Sequence, residues 1–148
     1  MILANYVEVR DGMITIVSGA WDRTSATGPL SSHVPGGPVA MINGGIAIRL
    51  LADEGELAES HEFEITIGLY DEEEPLHRIG GLVAGQPGGA EVVLPGLGVP
   101  LIVHLNIAGI PLPSVGWYSV RLFVDGARLG QVPFRVVEDL SPPGPGSV

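Results

Sequence analysis

Four histidines, two acidic loops and seven arginines hold most of the chemistry this chain could perform. His33, His61, His77 and His104 fall in four separate segments, with no His-x-His or His-x-x-x-His pair. Those spacings would put two imidazoles on one strand or helix face, ready for a metal. A metal centre here would need the fold to gather distant residues, so four rim histidines are the simpler expectation. His104 is expected on the outer face of its strand. The loops "ADEGELAE" and "YDEEEP" supply Asp53, Glu54, Glu56, Asp71, Glu72, Glu73 and Glu74. Calcium takes about six to eight oxygens from converging loops. Asp53, Glu54, Asp71 and Glu72 are therefore candidate ligands if both loops line up at one end of the fold. The spacing is not that of an EF-hand, and glutamate runs are more often solvated tips.

Nucleophilic and phosphate-binding patterns are weaker still. Ser18-Gly19 and Ser114-Val115-Gly116 are not Gly-x-Ser-x-Gly elbows. "MINGGIAIR", "IGGLVAG" and "PGGAEVVLPGLG" lack both the dinucleotide fingerprint and the Walker pattern. They read as bulges and turns. The absence of cysteine excludes disulfides, thiolate nucleophiles and Cys-based zinc or iron–sulfur sites. No catalytic, cofactor-binding or firm metal residue emerges, so a non-enzymatic protein without a cofactor is expected, with a hydrolase built on loop residues as a remaining alternative. Aromatic content is 5%, low for a sugar-stacking platform. Trp21 is expected to plug the core beneath a long crossover. Trp21, Asp22 and Arg23, at the mouth of that crossover, and Trp117 are the candidate interaction residues.

Positioning these residues falls to a chain of 148 residues, enough for one domain with its own core. Its hydrophobic fraction is 45% and its mean hydropathy +0.36, so the chain should fold. Charged residues make up 16%, against about a quarter in an ordinary soluble domain. That shortfall points to apolar surface covered by a partner or a second copy. The net charge of −10, with scattered arginines and no lysine, argues against nucleic acid and anionic membranes. No run approaches the roughly 18 apolar residues that cross a bilayer. The first residues lack a basic, then apolar, leader pattern, so a cytoplasmic address is expected.

Strand signals dominate the chain. "MILANYVEV" and "MITIVSG" flank Asp11-Gly12, a hairpin signal because a type I′ turn needs positive φ at both central residues. Residues 19–38 hold no period and read as a crossover between sheets. Strands are expected over about Val39–Ala52, broken near Asn43-Gly44-Gly45, and over about Glu62–Asp71. In the latter, Phe63, Ile65, Ile67 and Leu69 alternate with a wet face of Glu62, Glu64, Thr66 and Gly68. "DEGELAESH" between them is read as a loop rather than a helical turn. "RIGGLVAG" is a weak strand at best. Pro100–Ala108 should turn Leu101, Val103, Leu105 and Ile107 to one face. A second hairpin turns at Asp125-Gly126, with Tyr118, Val120, Leu122 and Val124 facing as Val132, Phe134 and Val136 do. Residues 139–148 are expected to form a disordered Pro/Gly tail. Seven to nine short strands with no sustained 3.6-residue period give an antiparallel sandwich or barrel over residues 1–138, and the long connections after Gly19 and around Pro111 favour the sandwich.

Both ends of the chain resemble a family of small uncharacterised bacterial proteins. The resemblance rests on "ANYVEVRDGMITIVSGAWD" at the start. At the end it rests on Gly116 to Tyr118, Asp125-Gly126 and the strand Val132 to Val136. It implies an immunoglobulin-like β-sandwich and no established activity. The last hairpin is also similar to the closing strands of immunoglobulin-like modules. The expected role is protein–protein contact, through self-association or within a larger assembly. The alternative is a calcium- or glycan-binding module using loops 20–38 and 71–78.

Overall fold

Short runs rich in β-branched and aliphatic residues become nine strands among the described residues of the computed structural model. It describes residues 1–10, 13–19, 22–26, 35–53, 56, 59–84 and 98–138. The strands are β1 (Ile2–Arg10), β2 (Met13–Gly19), β3 (Arg23–Ser25), β4 (Ala40–Ala52) and β5 (Ser60–Leu69). They continue with β6 (His77–Ala84), β7 (Val99–Leu112), β8 (Gly116–Val124) and β9 (Ala127–Val137). One sheet has the order β2-β1-β4-β7 and the other β3-β9-β8-β5-β6. The fold is all-β, and the two sheets share one apolar core. The first contributes Leu3, Ile42, Ile46 and Ile48; the second contributes Ile65, Ile67, Tyr118, Val120, Phe134 and Val136.

Period-2 patterning sets which side chains enter that core. Tyr118, Val120 and Leu122 of β8 and Phe134 and Val136 of β9 are buried, on the faces expected. The turn between them has Asp125 at φ 48° and Gly126 at φ 78°, both positive as a type I′ turn demands. The first hairpin pairs down to Arg10 opposite Met13, while its Asp11-Gly12 lies outside the described residues.

Several expectations need correction. β4 runs unbroken past Asn43-Gly44-Gly45, absorbing the irregularity as a bulge between Ile42 and Gly44. The Asn43 side-chain oxygen accepts the Gly109 N–H at 2.9 Å, satisfying a donor beside the bulge. β7 reaches Leu112, well beyond Ala108. "RIGGLVA" belongs to a full strand, β6, paired with β5 from Ser60↔Ala84 to Ile67↔His77. Its glycines hid it from propensity, but a Cβ on Gly81 would stand 2.8 Å from the Phe63 ring, so the missing side chain makes room for the core. The crossover is not strandless: β3 pairs with β9, from Arg23↔Arg135 to Ser25↔Val137. That pair is parallel, so the sheet is not purely antiparallel. Between β4 and β5, where a loop is expected, the described residues show Glu56 N–H donating to Asp53 O and Glu59 N–H to Glu56 O.

The outward face of β5 is wet only in part. Glu62 is exposed and Glu64 half-buried, but Thr66 and Gly68 are buried. Residues 70–76 fold back over them, with Leu76 N–H donating to Ile67 O. A Cβ on Gly68 would sit 3.1 Å from Pro75 Cα, so the loop lies down only on a glycine. Trp21, Glu54, His33 and residues 139–148 lie outside the described residues.

Candidate functional site

The outer face of the second sheet gathers charged side chains of both signs. A groove of about 850 Å³ runs along it from Gly126 to the loop after β5. Glu62, Glu64, Asp71, Glu72 and Glu73 meet Arg78, Arg121 and Arg128 there. Arg78 is committed to Glu64, at 3.2 Å.

Arg121 does structural work that residue patterns did not reveal. It is buried, and its guanidinium donates to four backbone carbonyls. Those are Leu69 O and Tyr70 O at 3.0 Å, Glu72 O at 2.6 Å and Glu73 O at 3.4 Å. A planar fork with several donors suits such a cluster of acceptors. The loop forming one wall of the groove is thus held by a cation that serves backbone dipoles. The one available signal was a charged residue in "YSVRLFV", a run with an apolar inner face and Phe123 beside Arg121 on the other.

The two acidic loops do not converge. One precedes β5 and the other follows it, so they stand at opposite ends of a ten-residue strand. At about 3.3 Å per residue, that separation is roughly 30 Å. Asp53 and the Asp71–Glu72 pair therefore cannot share one cation. Among the described residues, no group of three or more His, Asp or Glu side chains is arranged to hold a metal ion. His104 is exposed, opposite Ala47 on the outward face of the first sheet. His77 Nε2 donates to Pro111 O at 2.9 Å, tying the edge strand of one sheet to that of the other.

His61 sits at the mouth of a second cavity, of about 230 Å³, lined mainly by aliphatic side chains of both sheets. Its Nδ1 donates to Asp125 Oδ2 at 2.7 Å and its Nε2 to Glu56 O at 2.9 Å. Asp125 is anchored in turn, its Oδ1 accepting the Glu62 N–H at 2.9 Å. A His–Asp pair invites comparison with a catalytic dyad, but Nε2 is occupied by a carbonyl. It cannot accept a proton from a nucleophile in this arrangement. The ring acts as a cross-link, and only the imidazolium donates to both acceptors.

The bond to Asp125, then the carbonyl of Glu56, raise the His61 pKa above 6.5. The bond to His61, then the Glu62 N–H, lower that of Asp125 below 3.8. A raised histidine pKa gives stability fully present below pH 6.5 and lost as pH climbs through the folded value. A lowered carboxyl pKa gives stability present above pH 3.8 and lost as pH falls through the folded value. The cross-link should therefore stabilise most between these limits. Urea denaturation at pH 5.5 and 8.5 should show a loss at the higher pH that Asp125→Asn removes. An NMR titration should place the His61 midpoint above 6.5 in the unaltered chain and lower in the variant. An unchanged midpoint would refute the cross-link.

Three of the four candidate interaction residues come together, around a residue not singled out beforehand. Arg135 of β9 stands directly opposite Arg23 of β3 on one side and Trp117 of β8 on the other. Arg135, Arg23 and Trp117 are all exposed, and their neighbours Phe134, Val136 and Tyr118 point into the core. The Arg135 guanidinium lies 5.8 Å from the centre of the Trp117 ring, within cation–π range. Asp22 joins through its backbone, its carbonyl accepting the Arg135 N–H at 2.8 Å. Tyr70 N–H donates to Trp117 O at 3.0 Å, which brings the acidic loop to the same end of the sheet.

Residues 1–137 match the family described as "Family of unknown function (DUF6941)", and the chain belongs to that family. No curated protein and no solved structure matches the chain.

Proposed function

We propose that this chain is an immunoglobulin-like β-sandwich that acts through protein–protein contact, with self-association as its direct expression, and not through catalysis. Two features support the immunoglobulin-like reading. The order β9-β8-β5-β6, with the last hairpin next to β5, follows the G-F-C-C′ arrangement of variable-type domains. The Tyr118 hydroxyl, near the start of β8, donates to Ser114 O at 2.9 Å and accepts the Ser114 N–H at 3.2 Å. That is the geometry of a tyrosine corner.

The contact reading rests on the exposed aromatic pair. Trp117 is 53% and Tyr70 44% exposed, beside a guanidinium already placed over the indole. Trp, Tyr and Arg supply most of the energy in measured interfaces. A half-exposed Trp–Arg stack gives up part of that energy until a partner covers it. Sedimentation velocity over a concentration series should show reversible association, weakened about tenfold or more by Trp117→Ser. A wild-type chain that stays monomeric throughout the series would refute self-association.

A further inference from the structure

Seven cations among 17 acidic residues are scarce, and two of them are spent on one exposed row. Arg23 and Arg135 occupy directly opposed positions on neighbouring strands. Like charges placed so repel each other unless a counter-charge is supplied. Among the described residues, neither makes an ion pair, whereas Arg78 has Glu64 and Arg121 has its carbonyls. The Trp117 ring beside Arg135 gives the row an apolar wall. The pattern suits a carboxylate-bearing segment: two guanidiniums for the charge and an indole to exclude water.

Such a segment lies on the same chain, a short distance away. Asp71, Glu72, Glu73 and Glu74 are four consecutive exposed acids, starting one residue after Tyr70, whose N–H is bonded to Trp117 O. Basic row and acidic loop thus lie side by side at one end of one sheet. A two-fold axis passing between them would set each copy's acids on the other copy's arginines, a closed and self-complementary contact. We propose that the Arg23–Arg135–Trp117 row is the docking surface for the acidic loop, residues 71–74, of a second copy of this chain. This inference rests on the self-association proposed above and names its surface.

Two charge-reversed chains test it. One carries Arg23→Glu and Arg135→Glu; the other carries Asp71→Arg and Glu74→Arg, positions whose carbonyls do not hold Arg121. Alone, each variant should associate about tenfold or more weakly than wild type, since both contacts become repulsive in the first and lose their net attraction in the second. Mixed in equal amounts they should recover part of the association, because the first variant's intact acidic loop meets the second's intact arginine row and the substituted loop no longer repels the glutamates at 23 and 135. Matching circular dichroism and melting temperatures establish that the variants fold. Should either fail to fold, the wild-type chain decides, its association falling about tenfold between roughly 50 and 500 mM salt. A wild type that associates while both variants do so equally well overturns this surface and leaves self-association standing. Variants that both lose association and do not recover on mixing overturn the pairing of row and loop. Association indifferent to salt does the same, and a wild type monomeric in all conditions overturns both proposals.

Discussion

Replacing Arg121 with methionine should cost the fold about 3 kcal/mol, a large loss for a site with no carboxylate partner. Methionine keeps much of the aliphatic stem but none of the donors. Four carbonyls, from Leu69, Tyr70, Glu72 and Glu73, lose their shared cation at once. Hydrogen bonds to a charged group contribute about 1.5–3 kcal/mol each in isolation. They do not add here, because the carbonyls of the exposed loop residues can turn to water once the loop loosens. Arg121→Lys should recover part of the loss, since one ammonium cannot span a four-oxygen cluster. Urea denaturation measures the cost. Hydrogen exchange should show faster exchange at Glu72 and Leu76, whose amides bond to Leu69 O and Ile67 O. A variant with unchanged stability and unchanged exchange would show that the loop stands without its cation.

The same residue marks where sequence reading reached its limit. Alternation over Phe63–Leu69 and Tyr118–Val124 identified the core faces, because a two-residue period is a local property. The Asp125-Gly126 turn was equally local. Arg121 acts on carbonyls about fifty positions earlier in the chain, and no local pattern reports that. β3 was missed for a similar reason. Three residues, Arg23-Thr24-Ser25, have no periodicity of their own and become a strand only because β9 supplies the ladder. The row Arg23–Arg135–Trp117 needs that parallel pairing plus the β8–β9 hairpin before it exists. The hairpin could be read in advance; the parallel pairing could not.

The acidic loops are a different case, because the information was present. Both flank the one strand that the alternation of Phe63, Ile65 and Ile67 identifies, so they had to fall at opposite ends of it. Convergence on one cation was incompatible with an extended β5. The burial of Thr66 and Gly68 was less accessible. It depends on a loop folding back onto a strand face, and glycine at 68 was the only local hint that something approaches closely.

The largest single loss should follow removal of the Phe134 ring. Phe134 and Tyr118 are fully buried, face each other across the β8–β9 pair, and stack with centroids 5.5 Å apart and planes at 23°. Phe134→Ala should destabilise by about 3–5 kcal/mol, combining lost transfer energy with the cavity left behind. Against a total of about 5–15 kcal/mol for a domain of ordinary stability, that is enough to bring the melting temperature down by roughly 10 °C. The consequence reaches the surface, because Arg135 follows Phe134 and Trp117 precedes Tyr118 on the same two strands. Loosening the buried stack should disorder the exposed one, so Phe134→Leu, which refills most of the space, offers the cleaner comparison. It should cost about 1–2 kcal/mol and leave self-association within about twofold of wild type. Thermal melts establish the stability order wild type, Leu, Ala. Association measured below each variant's melting transition then separates a weakened core from a damaged contact surface. If Phe134→Leu abolishes association while remaining folded, the outward row is not the independent surface described above.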